Sequence, residues 1–195
     1  MTQLAFGDTL DQIGAIVVPV FADDAALPHT QTLDIQDASG YLGASKAFSG
    51  KAGQTYTVVH HHEGHYRPVI FVGMGNKADL TKDRVDGIAT QLYKAMAAGG
   101  HNEASILSDL VVDTPLSNAE FGATLVDGVK LAAYRYEDRK SEAYKSTYNI
   151  DKIHIITRDH AETKALYEEL STISDGTVIA RNLSNEPSDT LYPKT

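Results

Sequence analysis

Val69-Ile70-Phe71-Val72-Gly73-Met74-Gly75-Asn76-Lys77-Ala78-Asp79-Leu80-Thr81 is the stretch at which the pattern of this chain changes. Val69 to Val72 is fully apolar, the mark of a buried strand. From Gly73 onward the rhythm turns helical. Thr81 to Ala98 sets Val85, Ile88, Leu92, Ala95 and Met96 at helical spacing, and Gly99-Gly100 supplies the stop.

The alternation continues downstream. Ser105 to Leu110 reads as a strand. Ser117-Asn118-Ala119-Glu120 is a capping box, Ser at the N-cap and Glu three residues on, and Phe121, Leu125, Val129, Ala132 and Tyr136 continue one apolar stripe. Lys152 to Thr157 is a strand, and Asp159-His160-Ala161-Glu162 caps a further helix carrying Ala165, Leu166, Leu170 and Ile173. Gly176 either breaks that helix or is tolerated inside it; both remain open.

Upstream, Ile13 to Val20 is an apolar, β-branched run, predicting a strand buried on both faces. Pro19 predicts that the strand finishes there or lies at an edge. Leu33, Ile35, Tyr41, Leu42, Ala47 and Phe48, broken by Gly40 and Gly43, predict a loop with a short helix. Gln54 to His60 alternates as a strand does, so with Val69 to Val72 it forms a hairpin whose turn is the polar segment His60 to Arg67. Strands alternating with helices of this length predict an α/β fold of three layers: a mixed, mostly parallel sheet with helices on both faces.

At 195 residues one domain is the default, with a core large enough to need no staples. The absence of cysteine excludes disulfides, thiolate metal sites and a cysteine nucleophile. The N-terminus lacks the basic and apolar regions of a signal peptide, and no stretch approaches a membrane span, so the expectation is a cytoplasmic protein without a membrane partner. A formal net charge of −9 opposes binding to a phosphate backbone, and Lys130, Arg135, Arg139 and Lys140 are interleaved with Asp127, Glu137 and Asp138. No nucleic-acid partner is expected.

Several stretches imitate sites. His60-His61-His62-Glu63-Gly64-His65 gives His61 and His65 the four-residue spacing of zinc hydrolases on a helix. Glu63 is misplaced for that motif, however, and Gly64 with the flanking strands predicts a solvated hairpin tip. Gly73-Met74-Gly75-Asn76-Lys77-Ala78 fits the Gly-x-Gly-x-x-Ala of a phosphate-binding turn. Asp79, Leu80 and Thr81 separate it from the helix, and the plainer reading is that the glycines let the chain leave the sheet tightly. Gly43-Ala44-Ser45 and Phe48-Ser49-Gly50 are only fragments of a serine hydrolase motif. Tyr134, Tyr136, Tyr144 and Tyr148 read as packing residues, and Glu137 to Glu142 and Asp23-Asp24 as solvated charge. No catalytic, cofactor-binding or metal-binding residue is assigned.

The last stretch, Thr177 to Lys194, reads as a helix running into a connector. Ile179, Ala180 and Leu183 share a face, and Pro187 stops the helix. Ala180, Arg181, Asn182, Leu183, Asn185, Pro187, Asp189 and Pro193 resemble the Ala-Arg-Asn/Asp-Leu-x-Asn-x-Pro-x-Asn/Asp segment, followed by Pro, of the cytosolic leucyl aminopeptidase family of metallopeptidases. Val72-Gly73-Met74-Gly75-Asn76-Lys77 is similar to that family's Val-Gly-Leu-Gly-Lys, one residue longer before the Lys. Gly128 to Tyr136, with Tyr134-Arg135-Tyr136, resembles a further helix of its N-terminal domain.

The resemblance implies residues 1–176 as a non-catalytic, macro-domain-like N-terminal domain and 177–195 as the connector to a catalytic domain that this sequence lacks. It implies an intact enzyme that removes N-terminal residues from peptide substrates, usually a hexamer. Two divalent metal ions, zinc or manganese, would activate a water and polarise the scissile carbonyl in that absent domain. The family's metal-ligand motifs do not occur here, so no catalytic residue is carried over. The fragment's role would be assembly or access to the active site. The alternatives are a free-standing macro-like module for a nucleotide or metabolite, and a purely structural subunit-contact domain. An exposed apolar face on the connector helix would favour the aminopeptidase reading.

Overall fold

A strand with neighbours on both sides and apolar packing on both faces has no polar alternation, and the run Ala15–Phe21 shows this, all seven of its residues being buried. The computed structural model describes residues 2–10, 14–23, 47–62, 65–109 and 114–187. Its strands are β1 (Gln3–Gly7), β2 (Ala15–Phe21), β3 (Thr55–His62), β4 (His65–Gly75), β5 (Glu103–Leu107) and β6 (Lys152–Ile156). They form one sheet in the order β1-β6-β5-β2-β4-β3. Every pairing is parallel except that of β3 with β4. The fold is thus the mixed, mostly parallel α/β sheet that the alternating pattern predicts.

Among the described residues three α-helices pack on one face, α1 (Lys82–Gly99), α2 (Asn118–Ala132) and α3 (His160–Asn185), and none of the α-helices described lies on the other face, where helices were also expected. The alternation of side chains along each strand separates two apolar clusters. Val17, Ile70, Val72, Ile106 and Ile155 meet the helices through Val85, Leu92, Phe121 and Leu125. Ile16, Val18, Val69, Phe71 and Leu107 point the other way, where Phe48 closes on them. The loop and short helix expected from Leu33 to Phe48 lie, up to residue 46, outside the described residues.

α1 begins where Thr81 accepts the Arg84 N–H and ends on Gly100 in the left-handed region, φ 67°. The capping box of α2 forms as its sequence predicts. The Ser117 hydroxyl accepts the Glu120 N–H at 3.1 Å, and the Ser117 N–H donates to the Glu120 carboxylate at 3.1 Å. α2 lies between its two neighbours and is buried on more than its sheet side. A Cβ at Gly128 would stand 2.7 Å from that of Ala89, so α1 and α2 approach closely there.

Four expectations are corrected. Pro19 marks neither an edge nor an end: β2 is central and continues to Phe21. It is tolerated because the pairing with β5 covers Ala15 to Val17, so among the described residues Pro19 has a ladder partner in β4 alone. The turn expected from His60 to Arg67 is largely ladder, since His60 pairs with Arg67, His61 with Tyr66 and His62 with His65. Tyr136 does not extend the α2 stripe, because the helix ends at Ala132. Asp159 occupies the N-cap position of α3, but its side chain makes no capping bond. The carboxylate that serves this corner is Asp109, which accepts from the Thr157 hydroxyl at 2.6 Å and the Arg158 N–H at 3.2 Å.

Gly176 is tolerated. α3 runs unbroken from His160 to Asn185, so the connector helix is the second half of a single helix. Glu186 then turns extended, φ −68° and ψ 135°, as the residue before Pro187 must.

Candidate functional site

The stretches that imitate sites are used structurally. His61 and His65 stand on neighbouring strands, and their register puts them on opposite faces of the hairpin, His61 facing Tyr66 with ring centroids 4.7 Å apart. The helical spacing that made them attractive never forms. Among the described residues, no three His, Asp or Glu side chains converge so as to hold a metal ion. The metal pair implied by the resemblance therefore has no fitting donor set among them.

The glycine-rich turn after β4 binds its own chain. The Gly73 N–H donates to Gln54 C=O at 2.7 Å, and the Gly75 N–H donates to Gly50 C=O at 2.8 Å. A phosphate cradle needs such amides unspent. A Cβ at Gly73 would run into the carbonyl oxygen of Lys51, and Gly75 holds φ 76°, so both glycines are required by close approach and by backbone conformation. A short 3-10 turn, Lys77–Asp79, follows, and Asp23 accepts the Lys77 N–H at 3.4 Å. Asp24 and Gly43-Ala44-Ser45 lie outside the described residues. Ser49 bonds Gln54 through its N–H at 2.9 Å and its hydroxyl at 3.2 Å.

The tyrosines pack and anchor. Tyr148 meets Tyr93 edge-on at 5.8 Å and donates to His101 C=O at 2.9 Å. Burial, with Tyr93 and Asp151 adding to it, pushes its hydroxyl up to about 12. Arg135 lies over the Tyr93 ring and donates to its hydroxyl at 2.7 Å. Tyr144 is exposed.

What remains is the second half of α3 and the segment that follows α2. The Tyr134 hydroxyl donates to the Asn182 side-chain carbonyl at 2.7 Å, and the Arg181 guanidinium lies 5.4 Å from the centroid of the Tyr134 ring. Arg181 also donates to Leu131 C=O at 3.1 Å, a carbonyl at the end of α2 that accepts the Tyr134 N–H as well. Arg139 bridges to Glu186 at 3.0 Å, and that hydrogen bond holds the Glu186 carboxyl below its ordinary value. Residues of the connector resemblance therefore clasp residues of the Tyr134-Arg135-Tyr136 resemblance.

The clasp corrects the reading of Glu137 to Glu142 as solvated charge alone. Glu137 accepts the Ser146 N–H at 2.8 Å, and Arg139 is the far end of the Glu186 pair. Both stretches were visible in the sequence. Their contact was not, since some fifty residues separate the partners.

The other side of the same half-helix is bare. Ile173 is 69% exposed, Ile179 60% and Leu183 49%. Ala180 is exposed beside them. At 3.6 residues per turn these four lie on one side of α3. Such a stripe on a helix clasped from behind is an apolar surface held ready in one orientation.

A family model described as the cytosol aminopeptidase family, N-terminal domain, matches residues 17–143. A probable cytosol aminopeptidase of Alkaliphilus oremlandii is 24% identical over 186 residues, covering 92% of this chain and 37% of that protein. One of Brucella ovis is 28% identical over 179 residues, 89% of this chain and 34% of that protein. The chain thus spans little more than a third of the length of these curated relatives. Among solved structures, a mutant tomato leucine aminopeptidase superposes with a TM-score of 0.77 at 20% identity, covering 99% of this chain and 40% of that one. A bottromycin maturation enzyme solved in complex with Mn gives 0.66 at 18% identity, covering 92% of this chain and 33% of that one. These two likenesses establish the fold.

Proposed function

Because this chain belongs to the cytosol aminopeptidase family, as its N-terminal domain, we propose that it serves an intact metal-dependent leucyl aminopeptidase as a non-catalytic domain with an assembly or access role. Residues 1–176 are the body of the domain. Residues 177–195 lead from it to a catalytic domain. The intact protein is cytoplasmic and hexameric and releases N-terminal amino acids from peptides. Its two divalent ions, zinc or manganese, are held outside this chain, so no step of the hydrolysis is assigned to any residue here.

The observation that carries this reading is the bare stripe of Ile173, Ile179, Ala180 and Leu183 on a half-helix fastened from behind by Tyr134 and Arg139. Burying one Ile or Leu side chain contributes about 1.5–3 kcal/mol, so a catalytic domain seated there would be held firmly. The rigid clasp would fix the angle at which the two domains meet. Relatives nearly three times longer, named as aminopeptidases, support the same reading. Among the described residues no helix is long and apolar enough to cross a membrane.

The test compares two proteins on leucine p-nitroanilide with added Mn2+ or Zn2+. The 195-residue chain should release no nitroaniline. The chain extended through the catalytic domain encoded by its gene should release it. Turnover by the short chain, or an extended frame without such a domain, would sink the proposal.

A further inference from the structure

Between the α2–α3 pair and the β1–β6 edge of the sheet lies a cavity of about 370 Å3. That is within the range of small-molecule sites. Its depth is aliphatic, made by Leu4, Val126, Val129, Ile150 and Ile153. Tyr167 forms a further wall, its ring 5.8 Å from that of Phe6. The polar lining is small and mostly on one side. Thr2 spends its hydroxyl on Ile150 C=O at 2.9 Å. Lys130, Ser171 and Asp175 remain, with the Lys130 ammonium 2.6 Å from the Asp175 carboxylate and donating to the Ser171 hydroxyl at 2.9 Å. Burial opposes the Lys130 charge, yet the hydrogen bond to Asp175 and the charges of Tyr167, Asp175 and Asp127 outweigh it and hold the ammonium above its ordinary value.

An apolar chamber with one cation and one anion on its wall restricts the ligand. A lone anion drawn to Lys130 would leave Asp175 without its cation, and a lone cation drawn to Asp175 would do the reverse. A ligand carrying both charges on one carbon satisfies both, turning one ion pair into two. Asp175 is well suited to receive it, its side chain being 64% exposed while Lys130 is 30% exposed. We propose that this cavity binds a free apolar amino acid, its side chain among Leu4, Val129, Ile150 and Ile153, its α-carboxylate on Lys130 and Ser171, and its α-ammonium on Asp175.

The site itself is independent of the chain's place in a larger enzyme. Where that reading also holds, the ligand is of the class the enzyme releases. The experiment therefore reads binding on the 195-residue chain and uses no activity assay, which keeps the two proposals separable.

Leucine and phenylalanine are titrated into the chain and followed by melting temperature and calorimetry. Saturable binding with a rise in melting temperature is expected. N-acetyl-leucine lacks the ammonium, leucinamide the carboxylate and glycine the side chain, so each should bind at least about ten-fold more weakly. Lys130→Met and Asp175→Asn should each weaken leucine by a similar factor. Val129→Phe, which fills the chamber, should abolish binding, with Ala133→Phe at the half-buried wall as the second filling variant should the first not fold. No saturation by either amino acid at roughly 10 mM, N-acetyl-leucine matching leucine, or unaltered binding in folded Lys130→Met protein would each overturn the assignment.

Discussion

α2 and α3 lie side by side on one face of the sheet and are treated in opposite ways. α2 has ten of its fifteen residues buried, on more sides than the one facing the sheet. α3 has two buried residues among twenty-six, Thr163 and Ser174. Both helices were read from similar amphipathic spacing. The difference is position: α2 packs against a helix on each side, whereas α3 packs against α2 and meets the sheet mainly at β1. A helix in the middle of a layer is completed by its own domain. α1, at the other end of the layer, still buries Val85, Ile88, Leu92 and Met96, so an end position alone does not bare a helix; what sets α3 apart is that Ile173, Ile179 and Leu183 stay exposed.

The largest break in this comparison should come from α2. Phe121 is fully buried, and Phe121→Ala should cost about 3–5 kcal/mol of unfolding free energy, seen as a lower urea midpoint at unchanged slope. A loss below about 1 kcal/mol would mean that α2 is not the keel of this layer.

Next comes its N-terminus, where Ser117→Ala should cost about 1 kcal/mol. The same cap has a pH signature. The Ser117 N–H draws the Glu120 carboxyl below its ordinary value, with Lys82 helping and slight burial opposing. Since the folded value is the lower one, the stabilisation is present above the ordinary carboxylate range and fades as pH falls through the folded value. Glu120→Gln should therefore lower stability at neutral pH and lose its effect in acid. A cost that persists unchanged in acid would assign it to packing.

The smallest expected effect sharpens the contrast from the other side. Ile179→Ser combined with Leu183→Ser should leave the 195-residue chain within about 0.5 kcal/mol of its parent, because both side chains are exposed in it. In the extended protein the same pair should open the region after α3 to limited proteolysis. Destabilisation of the short chain by more than about 1 kcal/mol would show that the stripe is covered within it.

What the sequence by itself determined is whatever rests on neighbours a few residues apart. The capping box at Ser117, the stop at Gly100, the helix break before Pro187 and the apolar strands at Val17 and Ile70 all follow from local sterics, backbone hydrogen bonds and side-chain periodicity. So, through matched residues, does the family. What only the tertiary structure decided rests on partners far apart in the chain. Ladder pairing carried the hairpin through His60 and Arg67 and set His61 and His65 on opposite faces. Gly50 and Gln54 took the amides of the Gly73 turn. Tyr134 and Arg139 found Asn182 and Glu186, turning a tail into a fixed half-helix. The physical reason is that periodicity states which side of an element is apolar, while only packing states whether another part of the chain arrives to cover it.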